Sequence, residues 1–106
     1  MSRKSELMKR YGLTLEEYDA MLAFQDGRCY ICDRKPRARD PRLAVDHDHR
    51  TGAIRGLLCA VCNHDQLGVM SEDAGYYYRA WLYLVMPPAV QALGGIRWVP
   101  DAPPLD

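Results

Sequence analysis

After Thr14 the apolar positions recur every three to four residues: Leu15, Tyr18, and Met21 or Leu22, with Gln25 continuing the row. This spacing predicts a helix opening at Thr14. Thr14-Leu15-Glu16-Glu17 is a capping box, in which the Thr14 hydroxyl can accept from the Glu17 amide while the Glu17 carboxylate reaches back. Gly27 supplies a C-terminal stop. A shorter helix is predicted over 4–11, ending at Gly12. The pattern then changes. Pro36 and Pro41 make 33–42 a loop. Short apolar runs at 43–49 and 54–58 flank Arg50-Thr51-Gly52-Ala53, where Gly52 can take positive φ, and together they predict a β-hairpin. A further helix is predicted from Ala60 through Leu67, stopped by Gly68. The next starts at its N-cap Ser71, with Glu72 and Asp73 in the first turn. It carries Tyr76, Tyr77, Tyr78, Trp81, Leu82 and Leu84 as far as Pro87. An amphipathic helix buries its apolar stripe, so these aromatics are expected in the core, and any left exposed are candidates for a dimer or partner contact. The stretch 87–106 holds five of the seven prolines. A short helix over 88–93, ending at Gly94-Gly95, is predicted there, and the last few residues are expected to be mobile.

Composition adds a constraint. A chain of 106 residues is one small domain whose core gives a narrow stability margin, and such domains commonly add a metal or disulfides. No run of roughly 18 apolar residues occurs, so no membrane span is expected. The start, Met1-Ser2-Arg3-Lys4-Ser5-Glu6, has no apolar run of signal-peptide length behind it. An intracellular location is therefore expected, where paired Cys-x-x-Cys motifs bind metal more often than they oxidise. The net charge of zero hides an asymmetry. Residues 1–55 hold 12 of the 14 Lys and Arg but 9 of the 14 Asp and Glu, leaving this part at +3 and the remainder at −3. Arg34, Lys35, Arg37, Arg39 and Arg42 face a single Asp40. A basic stretch of this kind suits a polyanion partner, or is a solvated loop.

Four cysteines form two knuckles, Cys29-x-x-Cys32 and Cys59-x-x-Cys62, separated by 26 residues. A two-residue spacer lets both thiolates of a knuckle reach one tetrahedral Zn²⁺. Two knuckles complete a four-sulfur shell with no open position, so the zinc they predict is structural.

All three histidines lie between the knuckles or just past the second. Val45-Asp46-His47-Asp48-His49 gathers carboxylates and imidazoles on one strand. Alternation puts Asp46 and Asp48 on one face and His47 and His49 on the other, and a bulge would let Asp46 and His47 serve one site. A carboxylate with an amide oxygen suits a hard divalent ion. A neutral imidazole suits deprotonating water. Phosphodiester hydrolysis needs those parts, but so far the residues read equally as surface polars of a hairpin or ligands of a second structural metal.

The order Cys29-x-x-Cys32, Val45-Asp46-His47-Asp48-His49, Thr51-Gly52, Ile54-Arg55-Gly56-Leu57-Leu58-Cys59-x-x-Cys62-Asn63 and Leu67-Gly68 resembles the recombination endonuclease VII family of HNH (His-Me finger, ββα-metal) nucleases. Tyr11-Gly12-Leu13-Thr14 through Gly27-Arg28-Cys29 resembles its short phage-type members. The resemblance implies a small α+β fold, a ββα-metal finger buttressed by a four-cysteine zinc, with flanking helices. It divides the chain into an N-terminal helical segment 1–27, a nuclease core 28–69 and a C-terminal helix with Pro-rich tail 70–106. It implies a metal-dependent DNA endonuclease using Mg²⁺ or Mn²⁺, with Asp46 and Asn63 as ligands of the catalytic ion, His47 as general base and His49 at the phosphate. Arg55, Arg50, Arg37 and Arg39 become candidate DNA contacts. His64 is a phosphate contact or a helix-surface residue. The family archetype has an acidic residue three positions past the asparagine, where this chain has Gln66 beside Asp65. The expected partner is DNA, duplex or branched, with a second copy or a phage packaging or recombination protein as further candidates. The expected location is the cytoplasm of a bacterial host, the gene belonging to a phage or prophage. The competing reading is a non-catalytic zinc-stabilised module that binds DNA or a partner protein.

Overall fold

The computed structural model describes residues 2–36, 42–64 and 74–100, the His64 side chain excepted. Arg37, Arg39, Asp65, Gln66, the stop at Leu67-Gly68, the Ser71 cap and the last six residues lie outside them. Among the described residues, five helices and one hairpin run in the order α1 (Arg3–Tyr11), α2 (Leu15–Phe24), β1 (Ala44–His47), β2 (Ile54–Leu58), α3 (Ala60–His64), α4 (Ala74–Val85) and α5 (Pro88–Leu93).

Local chemistry sets the helix ends. Ser2 caps α1, and Gly12 closes it in the left-handed conformation at φ 69°. The capping box on α2 is complete: the Glu17 amide donates to the Thr14 hydroxyl and the Thr14 amide to the Glu17 carboxylate, both at 3.0 Å. Pro88 starts α5 and Gly94 ends it at φ 70°.

The strands β1 and β2 pair antiparallel, and α2, α4 and α5 pack against β2. Leu7, Leu13, Met21, Ile31, Leu43, Ile54, Leu57, Leu58 and Tyr83 fill the core between them. Two polar side chains tie α2 to the hairpin. The Tyr18 hydroxyl donates to the Leu43 carbonyl at 2.6 Å. The buried Gln25 carboxamide accepts from the Leu57 amide at 3.0 Å and donates to the Leu57 carbonyl at 2.8 Å, as a neighbouring strand would.

The C-terminal stretch is ordered beside the hairpin, which its prolines did not foretell. The Ile54 amide donates to the Arg97 carbonyl at 2.7 Å, and the Val99 amide to the Gly52 carbonyl at 2.8 Å. Ala53 and Trp98 form an antiparallel bridge, and the Arg97 guanidinium pairs with Glu17 of α2 at 2.9 Å.

The expectation that the α4 aromatics are core holds for Tyr76 alone among the exposed-or-buried aromatics named above. Tyr76, Ala80 and Tyr83, spaced four and three apart, form the buried stripe. Tyr77, Tyr78, Trp81 and Leu84 lie off that stripe and are exposed, with Trp81 at 58 % and stacked on Tyr78. The helix is apolar on both sides, so only one can face the hairpin.

Candidate metal centres and nuclease site

The two knuckles converge. One sulfur from each of Cys29, Cys32, Cys59 and Cys62 lies within 4.8 Å of all the others, and the Cys32 and Cys59 sulfurs are 3.8 Å apart. Tetrahedral Zn–S bonds of about 2.3 Å space their sulfurs about 3.8 Å apart, so the cluster fits a structural zinc. Turn geometry builds each knuckle. The Asp33 amide donates to the Cys29 carbonyl at 3.0 Å, with Asp33 at φ 63°. In the second, the Cys62 amide points at the Cys59 sulfur, 3.5 Å away.

Electrostatics argue for a cation in the same place. Burial pushes the Cys32 thiol up to about 11, and burial with the nearby Cys29 sulfur raises Cys62 further. Against the same burial, hydrogen bonds from Cys62 lower the Cys59 thiol instead, and raised thiols such as Cys32 and Cys62 ionise beside it only with a positive charge among the sulfurs. The Tyr76 hydroxyl is buried and, among the described residues, without a hydrogen-bond partner. Burial and then the adjacent Cys62 thiol push its pKa up to about 12. An ionised Cys62 sulfur would give that phenol the acceptor it lacks. Arg79, on the same side of α4, donates to the Ile31 carbonyl within the first knuckle at 2.6 Å.

Beside the zinc cluster, an open pocket of about 250 Å³ is lined by Asp46, His49, Arg55 and Asn63, with Leu58, Cys62, Tyr83 and Leu84 completing its wall. The strand delivers Asp46 through an irregularity. Asp46 faces Gly56 and His47 faces Ile54, so Arg55 is the extra residue of a bulge. Gly56 is required opposite Asp46: a Cβ there would lie 2.7 Å from Pro88 Cγ and 3.0 Å from Tyr83 Cε1. Asn63 reaches the pocket from the first turn of α3, where its amide donates to the Cys59 carbonyl at 2.9 Å.

The two aspartates of the strand separate. Asp48 accepts from the Arg50 amide at 2.7 Å and the Thr51 amide at 3.2 Å, so it shapes the hairpin turn. Asp46 is 6 % exposed. Its Oδ2 accepts from Arg55 Nε at 2.8 Å and from the Tyr83 hydroxyl at 2.9 Å, and no donor among the described residues reaches Oδ1. A carboxylate oxygen that meets no donor among the described residues, in a pocket shared with an asparagine amide, is part of a donor set that fits a hard divalent ion. His47 and His49 sit together, ring centroids 5.0 Å apart, as alternation predicts. Burial, and then His49, hold His47 below the ordinary imidazole range, which keeps it neutral.

Of the candidate DNA contacts, Arg50 is exposed at the hairpin turn. Arg55 is engaged within the protein, donating also to the His47 carbonyl through a terminal nitrogen at 3.3 Å. Tyr83 is the residue that sequence reasoning passed over. It is fully buried, its ring is 5.4 Å from that of Tyr30 in the first knuckle, and burial followed by the Asp46 charge keeps its phenol protonated. Its only sequence signal is its place seven residues after Tyr76, on the buried stripe.

The profile of the recombination endonuclease VII family matches residues 4–85. The chain belongs to that family. It is 46 % identical over 93 residues to the Gene 59 protein of Mycobacterium phage L5, and 50 % identical over 93 residues to the Gene 59 protein of Mycobacterium phage D29. Each alignment covers 88 % of this chain and 56 % of the relative, so the chain spans about half the length of these curated relatives. No solved structure matches. Among the described residues no helix is long and apolar enough to cross a membrane.

Proposed function

We propose that the chain is a metal-dependent DNA endonuclease that hydrolyses phosphodiester bonds at the Asp46–Asn63 pocket. The observation that carries the reading is the shared pocket itself: a carboxylate from β1, an amide from α3 and His49 line it together, in a chain of this family, while His47 lies outside the lining with its ring against that of His49. Asp46 and Asn63 would hold one divalent ion, Mg²⁺ or Mn²⁺, which when bound supplies positive charge against the phosphate.

The chain's own residues do the rest. His47, neutral at pH 7, accepts a proton from the attacking water at an imidazole nitrogen. His49, lining the pocket, donates a hydrogen bond to a phosphate oxygen. Asp46 and Asn63 fix where that phosphate sits relative to His47. Arg50 at the turn, with Arg34 and Lys35 exposed beside the first knuckle, contacts the DNA backbone.

The test is nicking of supercoiled plasmid by zinc-loaded protein with Mg²⁺ or Mn²⁺ added. His47→Ala should retain zinc and fold and lose about a hundredfold or more in rate, the scale of a general base. Undiminished cutting by that variant would sink the mechanism. Salt-sensitive DNA binding by the wild type with no cutting under any divalent ion would favour a binding module instead. Linear duplex and a synthetic four-way junction, run beside the plasmid, identify the preferred DNA form.

A further inference from the structure

Helix α4 lies outside the hairpin-and-helix finger, yet it reaches both metal centres from one side. Tyr76 meets the zinc cysteines, Arg79 holds the first knuckle by the Ile31 carbonyl, and Tyr83 bonds Asp46. We propose that Tyr83 is a positioning residue for the catalytic ion: its hydroxyl fixes Asp46 Oδ2 and so presents Oδ1 to the metal. The inference rests on the reading of Asp46 as an ion ligand.

The two donors on Oδ2 differ in kind. Arg55 sits on the bulge at the pocket mouth, with its side chain 24 % exposed, and can follow other partners. Tyr83 cannot. Its ring lies between Tyr30 of the first knuckle and Gly56 of β2, where even a methyl group on Gly56 would come within 3.0 Å of it. A carboxylate bonded by one locked donor keeps a single orientation about its last torsion. Loss of a group that orients a metal ligand from behind typically costs about 10–100-fold in metal affinity. Because α4 is bonded to the first knuckle at Ile31, the orientation of Asp46 is tied to the zinc site through Tyr83, whereas Asn63 is tied to it by following Cys62 directly in α3.

The experiment measures Mn²⁺ binding to zinc-loaded protein by electron paramagnetic resonance, with no DNA present, for the wild type, Tyr83→Phe and Asp46→Asn. Tyr83→Phe keeps the ring and removes only the hydroxyl. It should weaken Mn²⁺ binding about tenfold, and Asp46→Asn should abolish it. Wild-type affinity in Tyr83→Phe, with binding lost in Asp46→Asn, overturns the positioning role and leaves the ligand role standing. Wild-type affinity in Asp46→Asn removes both. Should Tyr83→Phe not fold, 3-fluorotyrosine placed at position 83 alone keeps the question open to measurement. Its ¹⁹F resonance should move on Mg²⁺ titration with the midpoint of ion binding, and a resonance that stays still while the ion binds overturns the proposal.

Discussion

The Gln25 carboxamide bonds Leu57 through both its ends and also donates to the Arg28 carbonyl at 2.9 Å. Removing it strips an amide and a carbonyl of β2 of their partners inside the protein, and each unpaired buried group costs about 1–3 kcal/mol. Gln25→Ala should therefore lose about 2–3 kcal/mol, read by urea denaturation of the zinc-loaded protein; a loss well below 1 kcal/mol would mean that water reaches Leu57 and takes over. Legibility at this scale follows the reach of each side chain's chemistry. The cysteines were readable because metal ligation imposes a two-residue spacer, and the four sulfurs do converge. Asp46, His47, Asn63 and His49 stood out by residue type and by family resemblance, and three of them line one pocket with His47 beside His49. Gln25 and Tyr83 gave no such signal. Their bonds span 32 and 37 residues, and nothing in the neighbouring sequence marks the far end of either.

Caps and turns made most elements readable. Gly12 and Gly94 end helices and the Thr14 box begins one where their conformational preferences dictate, and the hairpin forms around Gly52 at φ 81°. Two features escaped. The pairing of Ala53 with Trp98 was not expected, because strand addition at an edge needs only backbone groups and leaves no apolar alternation. The division of α4 into two faces also escaped, since aromatics crowd the helix all round and their period is ambiguous. That division has a measurable consequence. Trp81 is exposed and off the buried stripe, so Trp81→Ser should change stability by no more than about 0.5 kcal/mol, checked by thermal melting with zinc present. A large loss would return Trp81 to the core.

The molecule as a whole is organised around its cysteines. Helix α3 starts at the second knuckle, α4 is bonded to the first, and the pocket shares Cys62 with the zinc cluster. Structural zinc contributes on the order of 10 kcal/mol in small domains, comparable with the entire stability of a chain this size. Removing zinc with a strong chelator should abolish the cooperative melting transition, followed by circular dichroism, and re-adding zinc under reducing conditions should restore it. Retention of a native-like transition in metal-free protein would show that the core suffices alone. The backbone bonds from Arg97 and Val99 to the hairpin have a further consequence, in the order of synthesis. A ribosome makes Gly52 and Ile54 long before residues 97–99, so a nascent chain holding both zinc knuckles still lacks the partners of the Gly52 carbonyl and the Ile54 amide. Completion of the backbone bonds at Gly52 and Ile54, next to the bulge that carries Arg55, therefore waits until residues 97–99 have been translated.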